Sequence, residues 1–248
     1  MKYEIMLPHQ IRKAIDESWP VVLSSGVLEY HAEQCSVGTD ALIINKIVDE
    51  LEKEMGMVVL PPLFYGVSSY AVAPPERNGT VNVSAETLHL FGRDIFRSLL
   101  RIGFRNVHVL CWHQSENFKD GMPTDLALKL AAREAIFEFL EKENGEGWWG
   151  DNNMKNYYSD HEHGKNPFNW IKFHPVHNEE NHKKYPGDHA GKAETSLLMS
   201  LCPEAVDMNY WTNEIWYAGT AKEASPEYGR AFAESIKENL RNILTVKI

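Results

Sequence analysis

Cysteine is scarce in this chain: Cys35, Cys111 and Cys202 are the three in 248 residues, far apart and odd in number. Such a set gives no disulfide frame and no closely spaced pair for a closed structural zinc site, and it reads as reduced thiols in a cytoplasmic protein. Positive charge is also short. Lys and Arg number 25 against 35 Asp and Glu, for a formal net charge of −10. No Lys/Arg-rich stretch stands out, and an acidic surface repels phosphate backbones, which argues against nucleic acid as a partner. No apolar run approaches the roughly 20 residues that cross a bilayer. Met1 to Asp16 mixes apolar residues with His9, Arg12 and Lys13 and holds no signal-peptide core. There is no internal repeat and no low-complexity tract. What remains is a chain with 43% hydrophobic residues, of a size and composition that suit one α/β domain over residues 1–248.

Short apolar runs alternate with longer amphipathic stretches. Val21-Val22-Leu23, behind Pro20 and before Ser24-Ser25-Gly26, is too short for a helix and reads as a buried strand. Asp40 to Met55 carries Ile43, Ile44, Ile47, Val48 and Leu51 on one helical face, with Gly56 placed to stop it. Met57 to Leu60 reads as a strand ended by Pro61-Pro62. Ser84 is placed to cap a helix from Ala85 to Ile102, with Gly103 at its end. Val107 to Leu110 and Ile171 to Phe173 are further strands; Thr124 to Lys142, Ala193 to Leu201 and Pro226 to Leu244 are helical. This order predicts a mostly parallel sheet covered on both faces, and ligands of such sheets bind beyond the C-terminal strand ends.

Three polar clusters lie at that address. Beyond the first strand come Glu29 and His31, two residues apart and so directed alike in an extended segment, then Asp40 at a helix N-terminus. Beyond the third strand comes Cys111-Trp112-His113-Gln114-Ser115-Glu116-Asn117. Asp40 by itself reads as a helix cap and His113 by itself as a loop histidine. Together, two acids and two imidazoles at adjacent strand ends make a mixed nitrogen and oxygen set that suits Zn²⁺ or Mn²⁺. The third cluster, Asp188 to Ser196, is either a helix entry whose polar groups cap the first turn, or a place for His189 in proton transfer and Glu194 beside a metal.

Taken together, these clusters resemble the creatininase family, the creatinine amidohydrolases and their relatives. The resemblance rests on Gly26, Glu29, His31, Thr39 and Asp40, on His113 with the Glu116-Asn117 pair, and on an intact His189-Ala190-Gly191 followed by Glu194-Thr195-Ser196. Pro61 to Gly66 and Gly79-Thr80 look like further landmarks, and the likeness runs from about Val21 to Gly229. It implies a three-layer α/β/α fold and a centre of two divalent metal ions, zinc or manganese. Asp40 would bridge them, Glu29 and His113 would hold one, and His31 with a carboxylate near the second cluster would hold the other. A metal-bound hydroxide would attack a carbonyl of a small cyclic amide or related compound, with His189 shuttling the proton. The resemblance also implies a small-molecule substrate and a homohexamer.

The departures from the family pattern matter as much. Ala32 and Gln34 stand for Gly and a second His, and Trp112 stands for Gly. Matching the Glu-Asn pair assigns the second metal to Glu116. Counting from His113 puts Ser115 there, and Glu194 would have to serve. Glu116 is favoured, because a carboxylate neutralises a dication and a hydroxyl does not. These changes put creatinine itself in doubt and leave open hydrolytic ring opening of a cyclic polyol diketone of the dehydro-inosose type, or a metal-stabilised oligomer without turnover. Residues 144–188 are polar and rich in aromatics and histidines, and are expected to form a lid with a tryptophan against the substrate or a subunit contact. Asp160-His161-Glu162-His163 within them reads as a solvated loop or a separate metal site.

Overall fold

The computed structural model describes residues 1–163 and 166–245. Its sheet holds β1 (Val21–Ser25), β2 (Val58–Val59), β3 (Val107–Cys111) and β4 (Ile171–Pro175), all parallel, in the order β2-β1-β3-β4. The central pair β1 and β3 is buried at every residue, with Val21 opposite Val107 and Ser25 opposite Cys111. That burial on both faces is why these strands read as continuous apolar runs.

The helices are α1 (Pro8–Asp16), α2 (Thr39–Glu54), α3 (Ala85–Ile102), α4 (Pro123–Asn144), α5 (Tyr157–Glu162), α6 (Glu179–Lys184), α7 (Lys192–Leu201) and α8 (Pro226–Thr245). They divide between two cores. Strand residues Val21, Leu23, Val107 and Val109 pack with Phe96 and Leu99 of α3 and Leu128, Ala131 and Ala135 of α4. Their alternates Val22 and Leu110 pack with Ile43, Ile44 and Ile47 of α2, Leu197 and Leu198 of α7 and Phe232 and Ile236 of α8. The period-2 alternation of strand side chains thus builds the three α/β/α layers. Among the described residues no helix is long and apolar enough to cross a membrane, and all three cysteines are free and buried.

The helix punctuation follows the sequence closely at α3. Ser84 Oγ accepts the Thr87 N–H at 3.2 Å, and Gly103 ends the helix in the left-handed region at φ 119°. Gly56 plays no such part: α2 ends at Glu54 and the chain leaves through Met55 in extended conformation. Strand β2 is shorter than expected because Pro61 and Pro62 bring no N–H to a sheet edge. Helix α1 was not expected. Its signals are Pro8 at the first helical position and Ile11, Ala14 and Ile15 at helical spacing against the α3/α4 core.

Two glycines fix how close the site-bearing elements come. A Cβ on Gly26 would lie 2.5 Å from Ala41 N, so only glycine lets the end of β1 meet the first turn of α2. A Cβ on Gly229 would lie 1.8 Å from Ser196 O, so α7 and α8 touch there backbone to backbone.

Candidate metal centre

The chain that leaves β1 turns at Ala32, which takes the left-handed region at φ 56°. The turn tucks Glu29 and His31 under the start of α2, where both are buried. His31 Nδ1 donates to the Glu29 carbonyl at 2.9 Å, which directs Nε2 inward. Asp40 sits in the first turn of α2, where the helix dipole favours its charge. At the end of β3 the Trp112 N–H donates to Ser25 O at 3.2 Å, and His113 follows into the same space. From the other side comes the first turn of α7. Asp188 accepts the N–H groups of Ala193 at 2.7 Å and Glu194 at 3.2 Å, and Glu194 Oε2 accepts the Ala190 N–H at 2.8 Å. The third cluster is therefore a capped helix entry and also delivers a carboxylate to the centre.

Three groups of potential ligands result: Glu29, Asp40 and His113; His31, Asp40 and Glu194; and Glu29, His31 and His189. The first two share Asp40. In the first, His113 Nδ1 lies 2.8 Å from Asp40 Oδ2 and 3.7 Å from Glu29 Oε2. In the second, His31 Nε2 lies 3.6 Å from both Asp40 Oδ1 and Glu194 Oε2. Each group of three places its potential ligand atoms within 4.8 Å of one another.

The electrostatics of this cluster fit a cation. Three buried carboxylates converge, and the ion-pair partners they find among the described residues are the His31 and His113 rings. Burial disfavours charge on His31, yet Asp40 and Glu194 outweigh it and raise its pKa to about 10. Burial likewise opposes charge on His113, and Asp40 again prevails and raises it. Asp40 is pulled well below the usual carboxylate range: the two facing imidazoles overcome its burial. Glu194 goes up because its burial outweighs the pull of His31. Protons on the two rings thus stand where cationic charge is favoured, and metal ions bind such sets by displacing those protons. The donor set of imidazole nitrogens and carboxylate oxygens suits Zn²⁺ or Mn²⁺. His113 Nδ1 faces Asp40 and Glu29, and its Nε2 is buried with no hydrogen-bond partner among the described residues.

The centre opens into a cavity of about 600 Å³. Trp112 and His177 form one wall, stacked at 5.9 Å with 12° between their planes. Phe232, Tyr217 and the exposed Trp216 line the rest of the apolar side. His189 stacks on His31 at 4.2 Å, and its Nε2 donates to the Tyr30 carbonyl at 2.8 Å. Tyr30 is itself held by its N–H on Thr80 Oγ1 at 3.0 Å.

The creatininase family model, described as creatinine amidohydrolase, matches residues 5–244. The chain belongs to the creatininase family. A curated creatinine amidohydrolase of Pseudomonas putida is 25% identical over 191 residues, which is 76% of this chain and 66% of that protein. Among solved structures, a crystal structure of creatinine amidohydrolase superposes with a TM-score of 0.73 at 18% identity, covering 98% of this chain and 96% of that one. A creatininase structure with Mn in its name gives a TM-score of 0.74 at 18% identity, over 98% and 96% of the two chains. A creatininase point variant complexed with creatine gives 0.72 at 16% identity, over 98% and 96%. At these identities the structures establish the shared three-layer fold.

Within this creatininase fold, the structure brings Glu29, His31, Asp40, His113 and Glu194 together and leaves Glu116 out. Glu116 is exposed on the rim of the cavity, accepts from Asn117 Nδ2 at 3.2 Å and joins none of the groups of potential ligands. The short turn Ser115–Asn117 that follows His113 swings it away. The second group takes its carboxylate from α7: Glu194, and not the expected Glu116, lies with His31 and Asp40. Nor does Glu194 orient His189, since its oxygens are engaged elsewhere and the Tyr30 carbonyl does so instead. The tryptophans of residues 144–188 do not line the cavity. Trp148 packs into the α3/α4 core, Trp149 meets Tyr157 and Tyr158, and Trp170 lies under Arg105. That segment sends His177, Gly187 and Asp188 to the cavity instead. His161 and His163 lie exposed about α5, in no group of potential ligands among the described residues. Trp112, Trp216 and Tyr217 were not anticipated as cavity residues, although Trp112 was marked by standing where the family has Gly; His177 belongs to the segment expected as a lid or a subunit contact.

Proposed function

We propose that this creatininase-family chain is a metal-dependent hydrolase that opens a small cyclic amide or a related carbonyl compound. The observation that carries the reading is the pair of three-residue groups sharing Asp40 at the floor of a 600 Å³ cavity. Glu29, Asp40 and His113 would hold one divalent ion, and His31, Asp40 and Glu194 the other. Bound there, the ions would supply Lewis acidity toward a carbonyl oxygen and an acidified water.

The chain's own residues do the remainder. His189 has Nε2 committed as a donor to Tyr30 O, so its Nδ1 carries the free lone pair and is the atom that takes and returns a proton. The stack on His31 keeps that ring beside the centre. The Trp112–His177 wall and Tyr217 offer flat faces to a planar ring and exclude water from one side of it.

Chelator-stripped protein reloaded with Zn²⁺ or Mn²⁺ tests the reading, through metal analysis and a mass-spectrometric screen of lactams, formamides and cyclic diketones. The expected result is two ions per chain and one water added to a cyclic compound. A folded protein that takes up no divalent ion sinks the proposal. Creatinine is expected to be a poor substrate, because Trp112 walls the pocket where the family has Gly, Gln34 stands for the second His and is turned to Ala190 O, and mismatched polar groups cost affinity. Creatinine turnover in the ordinary enzymatic range of roughly 1–10³ s⁻¹ would overturn that expectation.

A further inference from the structure

The second cluster of this chain offers no carboxylate to the centre. Glu116 is exposed on the rim, and Ser115 Oγ turns back to donate to Cys111 O at 2.7 Å, with Trp112 O also within its reach. What the cluster does offer is an indole N–H. Trp112 is 5% exposed, and its Nε1 donates to Glu194 Oε1 at 3.2 Å. The other oxygen, Oε2, accepts the Ala190 N–H at 2.8 Å and faces His31 Nε2 at 3.6 Å. A carboxylate gripped at both oxygens by donors from different segments cannot rotate, so one lone-pair direction is fixed toward His31 and Asp40. The indole is fixed in turn. Its plane is set by the stack on His177, whose Nε2 donates to Tyr185 O at 2.8 Å, and by Phe232 at 6.1 Å. Its backbone is pinned by its own N–H on Ser25 O and by the Ser115 hydroxyl.

We propose that Trp112 is the positioning residue that makes Glu194 a ligand of the second metal ion, and that Ser115 sets Trp112. The proposal rests on the two-metal reading above. It assigns the exchanges at positions 112 and 115 to one device: the turn after β3 supplies no acid of its own and aims the acid of α7.

Calorimetric titration of metal-stripped full-length protein with Zn²⁺ tests it, with thermal unfolding as the check on folding. The unaltered protein binds two ions. Trp112→Phe keeps an aromatic face and loses the N–H, and is expected to weaken one ion by about 10–100-fold, the usual effect of removing such a partner, while the other ion is unchanged. Adding Glu194→Gln to Trp112→Phe should weaken that ion no further than Glu194→Gln alone, since the two residues act as a unit. Ser115→Ala should weaken the same ion by a smaller factor, and it carries the test if Trp112→Phe does not fold. Unchanged affinity for both ions in a folded Trp112→Phe or, where that does not fold, in Ser115→Ala overturns the proposal. Fully additive losses in the double variant do the same, because they mark Trp112 as packing alone. Fewer than two ions in the unaltered protein overturns the two-metal reading itself, and does so before any variant is made.

Discussion

The two faces of the sheet differ in how they treat buried charge. On the α3/α4 face the helices bury mainly alanines and leucines, the buried Asp125 is paired with Lys129 of its own helix at 2.6 Å, and other charged groups stay at the surface in pairs such as Arg97 with Glu138 at 2.9 Å. On the α2/α7 face the first turns of the helices bury acids: Asp40 is 2% exposed and Glu194 7%. An unpaired buried charge is costly, so the second face holds together only if its acids find positive partners. On the first face Asp125 already has its partner one turn on in the same helix, at Lys129. The lesson is that fold and function are carried by different layers of one molecule, and substitutions should separate them.

The sharpest test of that separation is Asp40→Ala. It removes the carboxylate shared by both groups and is expected to abolish binding of both ions along with turnover. A folded Asp40→Ala protein that keeps two ions per chain would break the comparison at its centre. His189→Asn comes next. It leaves intact the two groups that share Asp40 and removes only the third, Glu29 with His31 and His189, so metal content should stay full while turnover falls by about 10²–10⁴-fold, the usual worth of a placed proton carrier. Loss of an ion would instead put His189 among the ligands.

On the scaffold face, Phe96 is fully buried. Phe96→Ala is expected to cost about 3–5 kcal/mol of stability in chemical denaturation, with unchanged ion stoichiometry in the folded protein. If the folded variant binds fewer ions, the faces are not independent. The smallest effect belongs to Arg97→Ala. Its partners are exposed, and such pairs contribute about 0–1 kcal/mol, so the denaturation midpoint should scarcely move and turnover not at all. A larger loss would mean that the surface pairs between α3 and α4 act as a network.

Much of the architecture was legible because it is locally encoded. Ser84 and Gly103 bracket α3 by chemistry that acts within one turn. The runs at 21–23 and 107–110 announce buried strands because both of their faces are covered. Gly56 misled because a glycine after a helix permits a left-handed stop without requiring one, and an extended Met55 served as well. The tryptophans of residues 144–188 misled for a different reason. Tryptophan is equally at home in a core, under an arginine or against a ligand, and Trp148 and Trp170 took the first two places.

The site divides in the same way. Glu29, His31, Asp40 and His113 were identifiable from the sequence because each stands within a few residues of a strand end or a helix start, positions that a parallel sheet sends to one edge. The choice between Glu116 and Glu194 was beyond it. Glu116 is three residues from His113 and looked the nearer donor, but the turn at Ser115–Asn117 carries it to the surface. Glu194 is 81 residues further along the chain from His113, and reaches the centre because α7 enters over an Asp188 cap and lies against α8 at Gly229. The sequence by itself determined the layers, the edge of the sheet where the chemistry gathers and four of its side chains, since spacing and capping are local. Only the tertiary structure decided which carboxylate completes the second group and which aromatic side chains wall the cavity, because those contacts join segments whose separation along the chain says nothing of their distance in space.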